Sequence, residues 1–257
     1  MRQGLTQLSK LLTSNADDLG ALMAAFPAGR YFAENLVTVD SVYSNAGWTE
    51  TKSGTGAGLA QSTAEGGGAL LTAPSDGSFN INMQSIFKFP FVTGRHFGFG
   101  AIIELSDIAG VGFSIGFGNS QAAPFGTEYT DFIGVRKAIA GATVLGKVRG
   151  NSDTAADTPA FATMANATRL YVGGWFIPDS SSDTGSVGEF IVHDGTTPGH
   201  IELTAAQKAQ LHKYFTTPPS TYANINMTGT TGNNPTMNVV RAAFFSGNGF
   251  TSAPDLL

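Results

Sequence analysis

An all-β sandwich preceded by a short helical arm is the architecture this sequence predicts, and three observations carry it. From Tyr31 onward helical periodicity almost vanishes, and short runs of β-branched and aromatic residues alternate with Gly, Asn, Asp, Ser and Pro punctuation. About ten such runs follow one another, which suits a sandwich better than a meander. The first 26 residues are the exception, because Leu5, Leu8, Leu11 and Leu12, then Leu19, Leu22, Met23 and Phe26, recur at three- and four-residue spacings. The predicted division is a helical arm over residues 1–29 and a β-sandwich over 30–257.

Each element has its own reason. The arm reads as two short amphipathic helices; Ser14 or Asn15 caps the second, Asp17 and Asp18 suit its dipole, and Pro27 and Gly29 stop it. Strands are predicted at 36–39, 69–73, 85–92, 97–105, 110–118, 131–137, 143–148, 169–177, 188–193 and 237–245. In Phe97-Gly98-Phe99-Gly100-Ala101 and in the run Val111–Gly118 bulky residues alternate with Gly or Ser. Period two gathers the bulk on one face and leaves the other nearly bare, open to a second sheet, a ligand or a subunit. Residues 44–68, 150–167 and 228–235 read as long loops, the first around at most one strand. One further helix is expected near residues 204–215, opened by the capping-box pair Thr204 and Gln207 and closed by Pro218-Pro219. Its Leu and aromatic face should pack on the sandwich.

Composition narrows the function classes. Only 13% of the 257 residues are charged, against about 25% in ordinary globular chains, and 14 Lys and Arg stand against 19 Asp and Glu for a net charge of −5. That balance offers no electrostatic footprint for a phosphate backbone, so nucleic acid is not the expected partner. The absence of Cys excludes disulfides, thiolate metal sites and cysteine nucleophiles. Polar residues from Arg2 to Lys10 interrupt any secretory leader, and no stretch of about 18 apolar residues occurs, so a soluble chain with no membrane partner is expected from residue 1.

No catalytic motif in the sequence has the required context. A β-sandwich glycosidase needs two carboxylates across a cleft. The nearest groupings, Glu104 with Asp107, Glu128 with Asp131 and Glu189 with Asp194, read as solvated strand ends and turns. Gly112-Phe113-Ser114-Ile115-Gly116 has the letters of a nucleophile elbow, but its alternation belongs inside a strand with no helix following. The histidines, at 96, 193, 200 and 212, lack metal spacing, although His193 and His200 could meet across a turn. Asp179 to Gly185 could wrap a calcium ion but lacks alternating acids and reads as a plain turn. Gly54, Gly56 and Gly58 sit in no βαβ unit, so phosphate cradling is dropped. Asn166-Ala167-Thr168 and Asn226-Met227-Thr228 are glycosylation acceptors by letter only. The expectation is therefore a protein without catalytic residues, cofactor or metal. Phe125, Tyr129, Trp48 and Tyr43, in or beside loops, either plug the sandwich edges or serve sugar recognition, and Trp175 is expected in the core.

Three stretches, Ala123–Lys137, Arg169–Phe176 and Met237–Phe245, together resemble tailed-bacteriophage virion proteins with a concanavalin A-like jelly-roll domain, over about residues 80 to 250. That resemblance implies a jelly-roll sandwich and a non-enzymatic virion role as a capsid decoration protein, fibre element or other accessory shell component, made in the host cytoplasm. It transfers no catalytic motif, and the paired-acid metal site of lectin-type members is missing. The residue chemistry agrees, since few charges keep desolvation costs small at extensive interfaces. The arm's Leu5, Leu8, Leu12, Leu19, Leu22 and Phe26 cannot bury one another alone, so the arm should dock on its own sandwich or, preferably, on another subunit, itself or a major capsid or tail protein. The alternative is a carbohydrate-binding, lectin-like module of a tail or head fibre, with glycan contacts at Phe125 and Tyr129.

Overall fold

The computed structural model describes residues 32–39, 47–63, 67–74, 77–119, 131–139, 141–150, 154–160, 162–194, 198–216, 221–230 and 234–248. The arm with Leu5, Leu8, Leu12, Leu19, Leu22 and Phe26, and the loop aromatics Phe125 and Tyr129, lie outside these residues. The described chain forms strands β1 (Phe32–Val39), β2 (Trp48–Ser53), β3 (Gly58–Gln61), β4 (Ala69–Thr72), β5 (Phe79–Ser85), β6 (His96–Leu105), β7 (Val111–Gly118) and β8 (Phe132–Lys137). It continues with β9 (Thr143–Arg149), β10 (Ala156–Asp157), β11 (Ala162–Thr163), β12 (Arg169–Ile177), β13 (Val187–His193), β14 (Pro198–Glu202), helix α1 (Ala205–Thr216), β15 (Tyr222–Gly229) and β16 (Thr236–Asn248).

Two antiparallel sheets face each other, as predicted. One runs β14-β13-β12-β6-β16-β4-β3, with β1 also on β16; the other runs β10-β9-β8-β7-β15-β5-β2, with β11 on β9. Sequence-distant strands meet at the middle of each sheet, β6 between β12 and β16 in one and β15 between β7 and β5 in the other, which gives a jelly roll rather than a meander. The long strand β16 gives one edge to two partners: Thr236–Val239 pairs with β4, and the stretch from Ala242 onward pairs with β1. A register shift between Val239 and Arg241, in the pairing with β6, separates the two halves.

Period two decides what is inside. Phe97, Phe99, Ala101, Ile103 and Leu105 of β6 face Val111, Phe113, Ile115 and Phe117 of β7 across the sandwich, all of them buried. At the centre the Phe117 ring meets Phe89, Phe97, Phe99 and Phe244 edge-on, with centroids 5.1, 5.5, 6.2 and 5.7 Å away. Strand glycines admit close neighbours from within the same chain, in the alternating runs and beyond them. A Cβ on Gly98 would collide with the Phe245 ring lying across it, and one on Gly146 would collide with the Phe190 ring from the opposite sheet. Trp48 is buried and edge-on to Phe244 at 5.8 Å, so it plugs the sandwich.

Several predicted elements change on folding. The run 85–92 is not a strand: β5 ends at Ser85, whose hydroxyl donates to the Phe87 carbonyl, and the following chain bends over the sandwich end. Pro90 cannot donate to a ladder, and Phe89 instead inserts into the core while Phe91 stacks on Phe97 at 5.2 Å. The glycine-rich stretch 44–68 holds two strands rather than at most one, β2 and β3, each at an edge of a different sheet. Strands β5 and β15 went unpredicted, although both carry Asn-Ile-Asn-Met (80–83 and 224–227) and pair with each other. Asn disfavours strands, but here the amides bond laterally: Asn226 Nδ2 donates to Asn80 Oδ1 at 2.5 Å, Asn82 Nδ2 to Asn224 Oδ1 at 3.5 Å, and Asn224 Nδ2 also to the Gly118 and Tyr222 carbonyls. Asn226 is buried, so its acceptor letters cannot mark a glycosylation site.

Helix α1 is capped as its sequence requires. Thr204 Oγ1 accepts from the Gln207 amide at 3.2 Å and Gln207 Oε1 accepts from the Thr204 amide at 3.0 Å. Leu211 and Tyr214 are buried, and the Tyr214 hydroxyl donates to the Arg149 carbonyl at 2.9 Å, which fixes the helix on β9. Replacing Thr204 with Ala is expected to cost about 1 kcal/mol and to lower Tm by roughly 2–4 °C for a domain of this size. A calorimetric scan with unchanged Tm would show the cap to be dispensable.

Candidate functional site

The outer faces of the two sheets differ. On the sheet containing β5 and β15, Asn80, Asn82, Asn224, Asn226, Thr228 and Ser114 point away from the core yet are buried. On the other sheet, β12, β13 and β14 present an accessible mixed surface. The register places Gly98, Trp175, Glu189 and Glu202 in one lateral row, with Ile177 and Val187 paired on one side of it and Gly173, Ile191 and His200 on the other. Paired residues in antiparallel strands share a face, so this row points out of the sandwich.

Trp175 is therefore on the outer face and half-buried, not in the core as the sequence suggested. The strand Arg169–Ile177 carries apolar residues on both of its faces, and pairing with β6 sends Leu170, Val172, Gly174 and Phe176 inward opposite Ile103, Ala101, Phe99 and Phe97. The remaining set, Tyr171, Gly173, Trp175 and Ile177, must face out.

Glu189 holds the site's geometry. Its Oε1 accepts from the Trp175 indole Nε1–H at 2.7 Å, and its Oε2 lies 3.5 Å from His200 Nδ1. The indole edge is thus fixed by a charge-assisted bond, leaving part of the ring face to solvent. Glu202 stands directly across from Glu189 with its side chain exposed, and among the described residues its carboxylate makes no ion pair or hydrogen bond. Val187 is 44% exposed, so an aliphatic margin borders the ring. Further along the face, burial lowers the pKa of His96, and Arg169 pairs with Glu104 at 3.6 Å.

The other sequence candidates do not assemble. Asp107 caps the Ala109 amide at 2.9 Å, and the Gly112-to-Gly116 letters lie inside β7 with no turn. Asp179 has one oxygen on the Ser181 amide and the other on its hydroxyl, both at 2.7 Å, which holds its carboxyl below the usual range within a local turn. His193 and His200 share the outer face but pair with different positions, Pro198 and Ile191. Among the described residues, no group of three or more His, Asp or Glu could hold a metal ion, and no helix is long and apolar enough to cross a membrane. The juxtaposition of Trp175, Glu189 and Glu202 escaped the sequence because 26 residues and two strand pairings separate the first from the last. The signal available was the hairpin spacing of 187–193 and 198–202.

No family model and no curated protein sequence matches the chain. Solved structures do. A protein of unknown function from Shewanella oneidensis MR-1 superposes with TM-score 0.57 at 10% identity, covering 93% of this chain and 97% of its own. Peanut lectin bound to a nine-residue peptide gives 0.54 at 14% identity, covering 84% and 100%. The carbohydrate recognition domain of Emp47p gives 0.51 at 12% identity, covering 85% and 100%. At such identities the likeness is one of fold, and the fold of this chain is the concanavalin A-like jelly roll.

Proposed function

We propose that this chain is a non-enzymatic carbohydrate-binding module whose ligand lies on the outer face of β12, β13 and β14. The observation that carries the reading is Trp175, half-buried on the outer face with its indole N–H locked on Glu189, in one row with Glu202 and near His200 and the aliphatic residues Ile177, Val187 and Ile191. Sugar rings present apolar C–H faces and hydroxyl edges together. A fixed aromatic plane with a few placed acceptors meets both demands at low entropic cost. The lectin and carbohydrate-recognition domains that share the fold lend support.

Binding fits better than turnover. Among the described residues nothing closes over this face to exclude water, and both oxygens of Glu189 already have partners. Phe125 and Tyr129 lie outside the described residues, and the aromatic contact proposed on the described face is Trp175. The virion role rests on the sequence resemblance, and its interface of Leu5, Leu8, Leu12, Leu19, Leu22 and Phe26 also lies outside them.

A glycan array followed by calorimetry on the best ligand tests the proposal. Trp175→Ala should weaken binding at least tenfold, the scale of an aromatic hot spot, while Tm stays within a few degrees because the ring is only half-buried. Full affinity in this variant, or no glycan bound at millimolar concentration, refutes it.

A further inference from the structure

We infer that the Trp175 face selects an amino sugar carrying a protonated amine over neutral and acidic sugars, an inference that rests on the carbohydrate-binding reading above. Glu189 and Glu202 are direct cross-strand partners on one exposed face. Like charges placed opposite each other are destabilising, and surface strands ordinarily avoid the arrangement. Glu189 has its own relief, since its two oxygens are held by the Trp175 indole and by His200. Glu202 has none among the described residues, and its exposed carboxylate lies in the Trp175 row, one strand beyond Glu189.

The cations elsewhere on the face are placed too far along the strands to relieve it. Arg169 is engaged with Glu104 at the opposite end of β12, and Arg241 pairs in register with Ile102, two rows from Gly98 in the Trp175 row. His193 lies four residues from Glu189 along β13. A ligand that lays its ring against the Trp175 margin and its substituents toward β14 thus meets a carboxylate that has no partner among the described residues. An ammonium in that position gains both the attraction of the carboxylate and that of the indole face. An acidic sugar there is repelled, and an N-acetyl group gains neither term.

The test is isothermal titration of the full chain with two tetramers of the same backbone, N-acetylglucosamine and its fully deacetylated glucosamine form, at about pH 6, below the ordinary range of an amine. The glucosamine tetramer should bind about tenfold tighter. Glu202→Gln should reduce that preference to about twofold while leaving the N-acetylated ligand unchanged. Asp157→Asn, which removes the same charge from the other sheet, should leave the preference intact and so separate local recognition from attraction to an acidic protein.

Equal binding of the two tetramers, or a preference that survives Glu202→Gln, overturns the inference. Loss of both on Trp175→Ala in that case leaves the carbohydrate reading standing. Failure of either tetramer to bind, together with an empty glycan array, overturns the reading beneath it and the inference with it.

Discussion

Phe117→Ala is expected to lose about 4 kcal/mol of stability, within the range for truncating a buried phenylalanine. The ring is fully buried and four others, Phe89, Phe97, Phe99 and Phe244, meet it edge-on. These four rings come from β6 and β16 of the opposite sheet and from the loop over the sandwich end, so no single element can shift to refill the space. The lost transfer energy is therefore joined by a cavity term and by several ring–ring contacts. Urea unfolding should show a lower midpoint with an unchanged slope. A loss below about 1 kcal/mol would show that the core relaxes around the gap.

The second large effect is in the pH dependence of stability. Lys137 lies at the core-facing end of β8, opposite Phe113, and its side chain is buried. Its ammonium donates to the carbonyls of Ile108, Val111 and Ala138 at 2.5 to 3.1 Å. Burial lowers its pKa to about 8, and the nearby Asp107 offsets only part of that. The folded chain therefore gives up this proton near pH 8, whereas the unfolded chain keeps it until near its ordinary 10.5. Below pH 8 both states hold the proton and the full cost of burying the charge is present. Between about pH 8 and 10 the unfolded state binds more protons, so stability should rise by up to about 1.4 kcal/mol per pH unit.

Tyr214 sets the upper limit of that window. Burial raises its pKa well above 10, with the Asp131 charge adding to the effect, so the unfolded chain ionises first and stability falls above pH 10. The expected profile climbs from pH 8 and turns over near pH 10, and Lys137→Met should flatten the climb. Denaturant midpoints across pH 7 to 11 would show it, and a monotonic decline in the native chain would contradict the placement of the Lys137 ammonium.

Much of the fold was legible residue by residue. The alternation in Phe97–Leu105 and Val111–Gly118 gave two central strands nearly to their ends, and Thr204 with Gln207 gave the helix start, because each pattern needs only local geometry. The run Ile86–Val92 misled for the reason the others succeeded. Its aromatic residues have strand-like composition, but they serve as plugs at the sandwich end. Asn80-Ile81-Asn82-Met83 and Asn224-Ile225-Asn226-Met227 do not read as strands in sequence because each Asn is a poor strand former until the other strand supplies a lateral amide partner.

By itself the sequence determined the class of fold, the helix and the scarcity of charge, since periodicity, capping and composition are properties of neighbouring residues. Only the tertiary structure decided which apolar face of Arg169–Ile177 turns outward and that Trp175, Glu189 and Glu202 share a row. The reason is physical: a strand with two apolar faces has no inside until another sheet packs against it, and the pairing that selects the inside is made by residues far away in the chain.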